Sequence, residues 1–96
     1  MKLIILPSAR DDLDNGYRFF EQQEEGLGDY FFDSLFSDID SLRLYAGIHQ
    51  KVFGYYRLLS KRFPYAVYYS IEAETTRVSA ILDCRRDPAW IHERLK

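Results

Sequence analysis

Apolar positions fall into distinct textures along this chain. Residues 2–6, KLIIL, form a short unbroken apolar run, consistent with a buried strand although periodicity alone does not separate strand from helix. Pro7 stops it. From Ala9 the apolar positions return every three or four residues (Ala9, Leu13, Tyr17, Phe20), the stripe of a helix running to about residue 24. Ser8 followed by Asp11 is a carboxylate variant of a capping signal, and Asp11 and Asp12 sit in the first turn, where the helix dipole favours anions. Gly26, within EEGLGD, is the residue type that closes such a helix in a left-handed conformation. Leu27, Phe31, Leu35, Ile39 and Leu42 resume the same period, widened by Phe32 and Phe36, so two helices joined by a short connection form an antiparallel hairpin.

After AGIHQKVFG the texture turns to strands. YYRLLSKR (55–62), YAVYYSI (65–71) and RVSAILDC (77–84) are rich in β-branched and aromatic residues, with EAETT (72–76) as the hairpin loop between the last two. Pro64 opens the middle strand, where its missing N–H spares the ladder. Asp87-Pro88 then couples an N-cap residue to a first-turn proline, and Trp90, Ile91, Arg94 and Leu95 predict a short terminal helix. The order β-α-α-β-β-β-α predicts one α+β domain over residues 1–96, a helical hairpin on one face of a mostly antiparallel four-stranded sheet.

Composition narrows the class. Ninety-six residues lie near the small end of what buries a core without staples, and the single cysteine, Cys84, excludes an internal disulfide. The 47% hydrophobic content, with eight Tyr and seven Phe, supplies the core instead. No run reaches the roughly 18 apolar residues of a membrane span, and MKLIILPSARDD turns acidic too soon for a signal peptide. The expectation is a cytoplasmic protein with no membrane partner. The net charge of −2 conceals a polarity: residues 1–46 hold four basic and ten acidic groups, residues 47–96 nine basic and five acidic. With a pI of about 5.6, general phosphate binding is disfavoured, whereas a local cationic site in the second half is not.

Strand alternation proposes where that site lies. Val78, Ala80, Leu82 and Cys84 form an apolar set suited to packing under the helices, and Arg77, Ser79, Ile81, Asp83 and Arg85 form the other face. Arg57 shares parity with Tyr55, Leu59 and Lys61. If the two polar faces coincide, the open side of the sheet carries Arg57, Lys61 and Arg85, with Arg62 and Arg86 near its edges. Three roles stand open for Arg85 and Arg86: internal pairing with Asp83, Asp87 or a helix C-terminus, forked docking of a partner's carboxylates, or a clamp on a scissile phosphate. The last also needs an acid and a base. His49 and His92 are not tied by spacing to the arginines, which leaves strand tyrosines such as Tyr65, Tyr68 and Tyr69, residues that ordinarily pack. No metal-ligand spacing and no glycine-rich phosphate loop is present, so no cofactor is expected.

The stretch RFPYAVYYSIEAETTRVSAILDCRRDPAWIHERL (62–95) resembles toxins of the RelE/ParE superfamily of bacterial type II toxin–antitoxin modules. Arg62-Phe63-Pro64-Tyr65 enters a Tyr-rich strand, and an apolar strand ends in Arg85-Arg86-Asp87-Pro88 and an aromatic. The opening strand, the ARDDLDNGYRFFEQQEEGLGDYFFDSL hairpin and YYRLLSKRF agree, so the resemblance spans the chain. It implies a compact toxin neutralised by a small antitoxin whose C-terminal segment wraps it, as a homodimer or as a heterotetramer with the antitoxin. RelE-like members cut messenger RNA on the ribosome with basic strand residues, a last-strand arginine and often a terminal tyrosine. ParE-like members lack much of that set and are associated with DNA gyrase.

On this sequence Arg85 matches the last-strand arginine, and Tyr65 stands where the ribonucleases place a central-strand arginine. Trp90 is nearest to their terminal tyrosine, and Lys61 and Arg57 are loose equivalents of the other basic residues. The wording RFPY and RRDP favours the ParE side. The resemblance therefore implies a gyrase-binding toxin contacting its target or antitoxin through Arg57, Lys61, Arg62, Arg85, Arg86 and Trp90. The alternatives are a RelE-like ribonuclease using Arg85 and Tyr65, or a non-toxic protein that keeps the fold.

Overall fold

The computed structural model describes residues 2–96. The chain runs β1 (Lys2–Ile5), α1 (Pro7–Gln23), α2 (Leu27–Asp40), α3 (Leu42–Tyr45), β2 (Lys51–Val52), β3 (Tyr55–Leu59), β4 (Tyr65–Glu72), β5 (Thr75–Asp83) and α4 (Pro88–Arg94). The expected four-stranded sheet has five strands, in the order β1-β5-β4-β3-β2. The additional strand is β2, whose Lys51 and Val52 pair antiparallel with Tyr56 and Tyr55 around Phe53-Gly54. Both turn residues have positive φ, 53° and 85°, the combination that matches the twist of a two-residue hairpin. With Phe at the first of these positions, the turn lacks the usual Asn-Gly or Asp-Gly signal. Only β1 runs parallel to its neighbour, pairing Lys2–Ile5 with residues 75–78 of β5.

The start of α1 departs from the expected cap. Leu6 is extended, its N–H completes the pairing with the Val78 carbonyl, and Pro7 opens the helix without leaving an N–H to satisfy. Ser8 is released from capping, and its hydroxyl donates to the Ser79 carbonyl at 2.8 Å. At the other end α1 closes on an extended Glu24, and Gly26, expected to end that helix, instead precedes α2 as its N-cap at φ 88°. Glu21 reaches across from α1 to accept the N–H groups of Gly26 and Gly28, satisfying donors at the start of α2. The two helices approach closely: a Cβ on Gly28 would lie 2.8 Å from the Tyr17 carbonyl oxygen.

The sheet has two covered faces. Tyr65, Val67, Tyr69, Val78 and Ile81 pack against Leu13, Phe20, Phe31, Leu35 and Ile39 of the hairpin. Ala66, Tyr68, Ala80 and Leu82 face the other way and are covered by Ile91 of α4 and by Leu95 just after it. The expected apolar set Val78, Ala80, Leu82, Cys84 is thus split. The cause is a β-bulge: Tyr69 pairs with Val78 and Tyr68 with Ala80, so Ser79 is an extra residue and the alternation inverts beyond it. Cys84, expected in the core, lies past the strand end and is exposed.

Candidate functional site

Inversion at Ser79 decides which side chains meet. Arg57, opposite Tyr68, belongs to the face that α4 partly covers, and Arg77, opposite Ser70, follows the same parity. Asp83, opposite Tyr65, belongs to the hairpin face. The single open face expected to carry Arg57, Lys61 and Arg85 does not form. Arg57 lies beside Tyr68, where its charge opposes the rise that burial gives the Tyr68 pKa. Lys61 and Arg62 are exposed in the connection between β3 and β4. What the fold does bring together is Tyr65, Asp83, Arg85, Arg86 and Trp90, at the end of β5 and the start of α4.

The turn that carries the two arginines is organised by two aspartates. Asp83 accepts the backbone N–H of Arg85 at 2.9 Å and both arms of its guanidinium, Nε at 2.9 Å and Nη2 at 2.8 Å. These bonds from Arg85 hold the Asp83 carboxyl below its ordinary pKa against the opposing effect of burial. Arg85 is consequently internally paired, yet its side chain is still 60% exposed on the rim. Asp87 accepts the Ala89 N–H at 2.9 Å and caps α4 ahead of Pro88, as its sequence predicts.

A third aspartate, which sequence reasoning assigned to the first helical turn, anchors the base of the site. Asp12 is buried, 9% exposed, and its Oδ2 accepts the Ile81 N–H at 3.0 Å. That N–H lies beyond Ile5, the last β1 residue in the ladder, so the helix side chain replaces the missing strand partner. Both Asp12 oxygens also accept from Nη2 of Arg94 at 2.9 Å, tying α4 to α1 and β5. The signal was available in the sequence: Asp12 falls between Ala9, Leu13 and Gly16 on the buried stripe of the helix.

Trp90 holds two cations over its ring, Arg86 at 3.8 Å and Arg94 at 5.7 Å from the centroid. With Asn15, Phe19, Tyr65 and Asp83 these residues line a cleft of about 290 Å³. Tyr65 is only 9% exposed, and burial raises its hydroxyl pKa above 10.0, reinforced by Asp83 and Asp12 against the weaker opposing pull of Arg85 and Arg86. A phenol so placed keeps its proton at neutral pH and donates rather than abstracts. Both histidines are engaged elsewhere, His49 with the Tyr69 hydroxyl and His92 stacked on Phe53 at 4.4 Å. Among the described residues no group of three His, Cys, Asp or Glu side chains gathers to hold a metal, and no helix is long and apolar enough to cross a membrane.

Neither a scan against protein-family models nor a search of curated proteins finds a match to this chain. Among solved structures the fold recurs in a chain of the chromosomal ParDE TA system from P. aeruginosa, with a TM-score of 0.71 and 18% identity over 84% of this chain and 92% of that one. The likeness is one of fold, and it is the fold that the RelE/ParE resemblance implies.

Proposed function

We propose that this chain is the toxin of a type II toxin–antitoxin module, a ParE-like protein that acts in the cytoplasm by binding DNA gyrase and is silenced by a cognate antitoxin. The observation that carries this reading is the cationic rim at the β5–α4 junction, presented outward on a fold shared with a ParDE chain. Arg85, Arg86 and Trp90 are its contact residues, and Arg57, Lys61 and Arg62 lie outside the cleft. The surroundings of Tyr65 support binding over chemistry. Its proton is held by burial, and neither histidine completes an acid–base pair with Arg85.

The test is tightly repressed expression, alone and together with any small reading frame found beside the gene, DNA and RNA integrity being followed side by side. Growth arrest with filamentation and DNA damage, relieved by the neighbour, supports the reading. Rapid loss of translation with cleaved transcripts would replace it by a ribosome-dependent ribonuclease, and unimpaired growth by a non-toxic protein of the same fold. The double variant Arg85→Ala, Arg86→Ala should abolish arrest while the protein remains folded; full toxicity would remove the rim from the mechanism.

A further inference from the structure

Arg86 and Arg94 line the cleft, Arg85 stands beside it on Asp83, and two of these three guanidiniums are committed. Arg85 is held by Asp83 and Arg94 by Asp12, each through charge-assisted hydrogen bonds of 2.8–2.9 Å. Arg86 lies over the Trp90 ring, its Cζ 3.8 Å from the centroid, and, among the described residues, has no carboxylate within ion-pairing distance. The cation–π contact places this guanidinium without occupying its N–H donors, which lie in the guanidinium's own plane and remain available. Counting the cleft together with its rim, two paired aspartates and three arginines leave a single unneutralised positive charge, carried by Arg86.

We propose that Arg86, rather than Arg85, is the docking group of this rim, and that it receives an aspartate or glutamate side chain from an acidic peptide segment of a partner protein. The carboxylate takes two parallel bonds from Arg86, and an apolar neighbour in the same segment enters the cleft beside Trp90 and Phe19. Charge selects a peptide over a nucleic acid. A polyphosphate chain would pass Asp12 and Asp83, next to a helical half carrying ten acids against four bases, with one free guanidinium to meet it. A lone carboxylate needs only that one.

The assignment rests on the reading that this rim meets a partner, but it is tested apart from toxicity. Trp90 is the only tryptophan of the chain, so its fluorescence reports the cleft directly. The probe is a capped pentapeptide, acetyl-Leu-Glu-Phe-Glu-Leu-amide, titrated against the full chain beside its Gln counterpart and a short oligothymidylate. Saturable change with the Glu peptide, about tenfold weaker with the Gln peptide, is the expected result. Arg86→Gln should lose the Glu preference, whereas Arg10→Gln, an equal change in charge on α1, should keep it. Arg86→Lys, which retains charge without the planar fork, should fall between. No saturable response, no preference for Glu over Gln, tighter binding of the oligonucleotide, or a loss confined to Arg85→Gln would each overturn the assignment. A chain that takes the peptide through Arg86 yet leaves growth unimpaired would sink the toxin reading alone.

Discussion

Replacing Asp12 by alanine should weaken this protein more than its place near the start of a helix implies. The buried carboxylate serves two clients, the Ile81 N–H at 3.0 Å and the Arg94 guanidinium at 2.9 Å. Leaving a buried N–H without an acceptor costs about 1–3 kcal/mol. Severing a fully buried ion pair costs about 3–5 kcal/mol. Arg94 is 32% exposed, so water recovers much of its solvation and the pair counts nearer ~1 kcal/mol. The expected total for Asp12→Ala is ~3 kcal/mol, a large share of the ~5–15 kcal/mol that holds a domain folded. For a chain of this length that corresponds to roughly 10–20 °C in melting temperature. Asp12→Asn keeps an acceptor for Ile81 and should cost about 1–2 kcal/mol, as should Arg94→Ala. Urea melts followed by far-UV circular dichroism give the free energies, while Trp90 fluorescence follows α4 and hydrogen exchange follows the Ile81 amide. If Asp12→Ala lies within ~0.5 kcal/mol of the parent and the Ile81 amide stays protected, the account of Asp12 is wrong. If Asp12→Asn is as damaging as Asp12→Ala, the ion pair dominates and the strand-end role falls.

Two further outcomes follow from the packing. Gly28→Ala drives a methyl group to 2.8 Å from the Tyr17 backbone carbonyl, which cannot rotate away, so the hairpin should part at a cost of about 1–3 kcal/mol, read as a lower urea midpoint with an unchanged slope; an unchanged midpoint would show that the helices are not in contact there. The Tyr69 hydroxyl accepts the Gly47 N–H and is hydrogen-bonded to Nδ1 of His49, while burial lowers the His49 pKa below 6.5. Above that value both folded and unfolded chains hold His49 neutral and its contribution is fully present. As pH falls below it, the unfolded chain binds the proton first, and stability drops until His49 is protonated in the fold as well. Urea midpoints from about pH 7.5 to pH 5 should therefore fall more steeply for the parent than for His49→Gln; equal slopes would contradict the partly buried pair.

Much of the architecture is local, and local patterns carried it. The helical stripe of Leu13 and Phe20 and that of Phe31, Leu35 and Ile39 are the residues that form the hairpin core. Asp87-Pro88 caps α4 as its chemistry requires. Gly26 takes the positive φ that the short connection demands. The candidate site was half legible: Arg85, Arg86, Tyr65 and Trp90 do converge, while Arg57 does not join them. Strand β2 escaped notice because two residues are too few to show a period, and its turn carries Phe53 where Asn or Asp is usual.

The sequence by itself determined the order of the longer elements, the faces of both long helices and the polarity of charge, because each depends on spacings within one segment. Tertiary structure alone decided what the cations face. The extra residue at Ser79 occurs where β1 ends and α1 meets β5 through Ser8 and Asp12, and one inserted residue reverses every later side chain in a strand. Arg85 and Arg86 are adjacent and chemically identical; which of them is spent depends on where Asp83 and Trp90 come to lie once the sheet and α4 are in place.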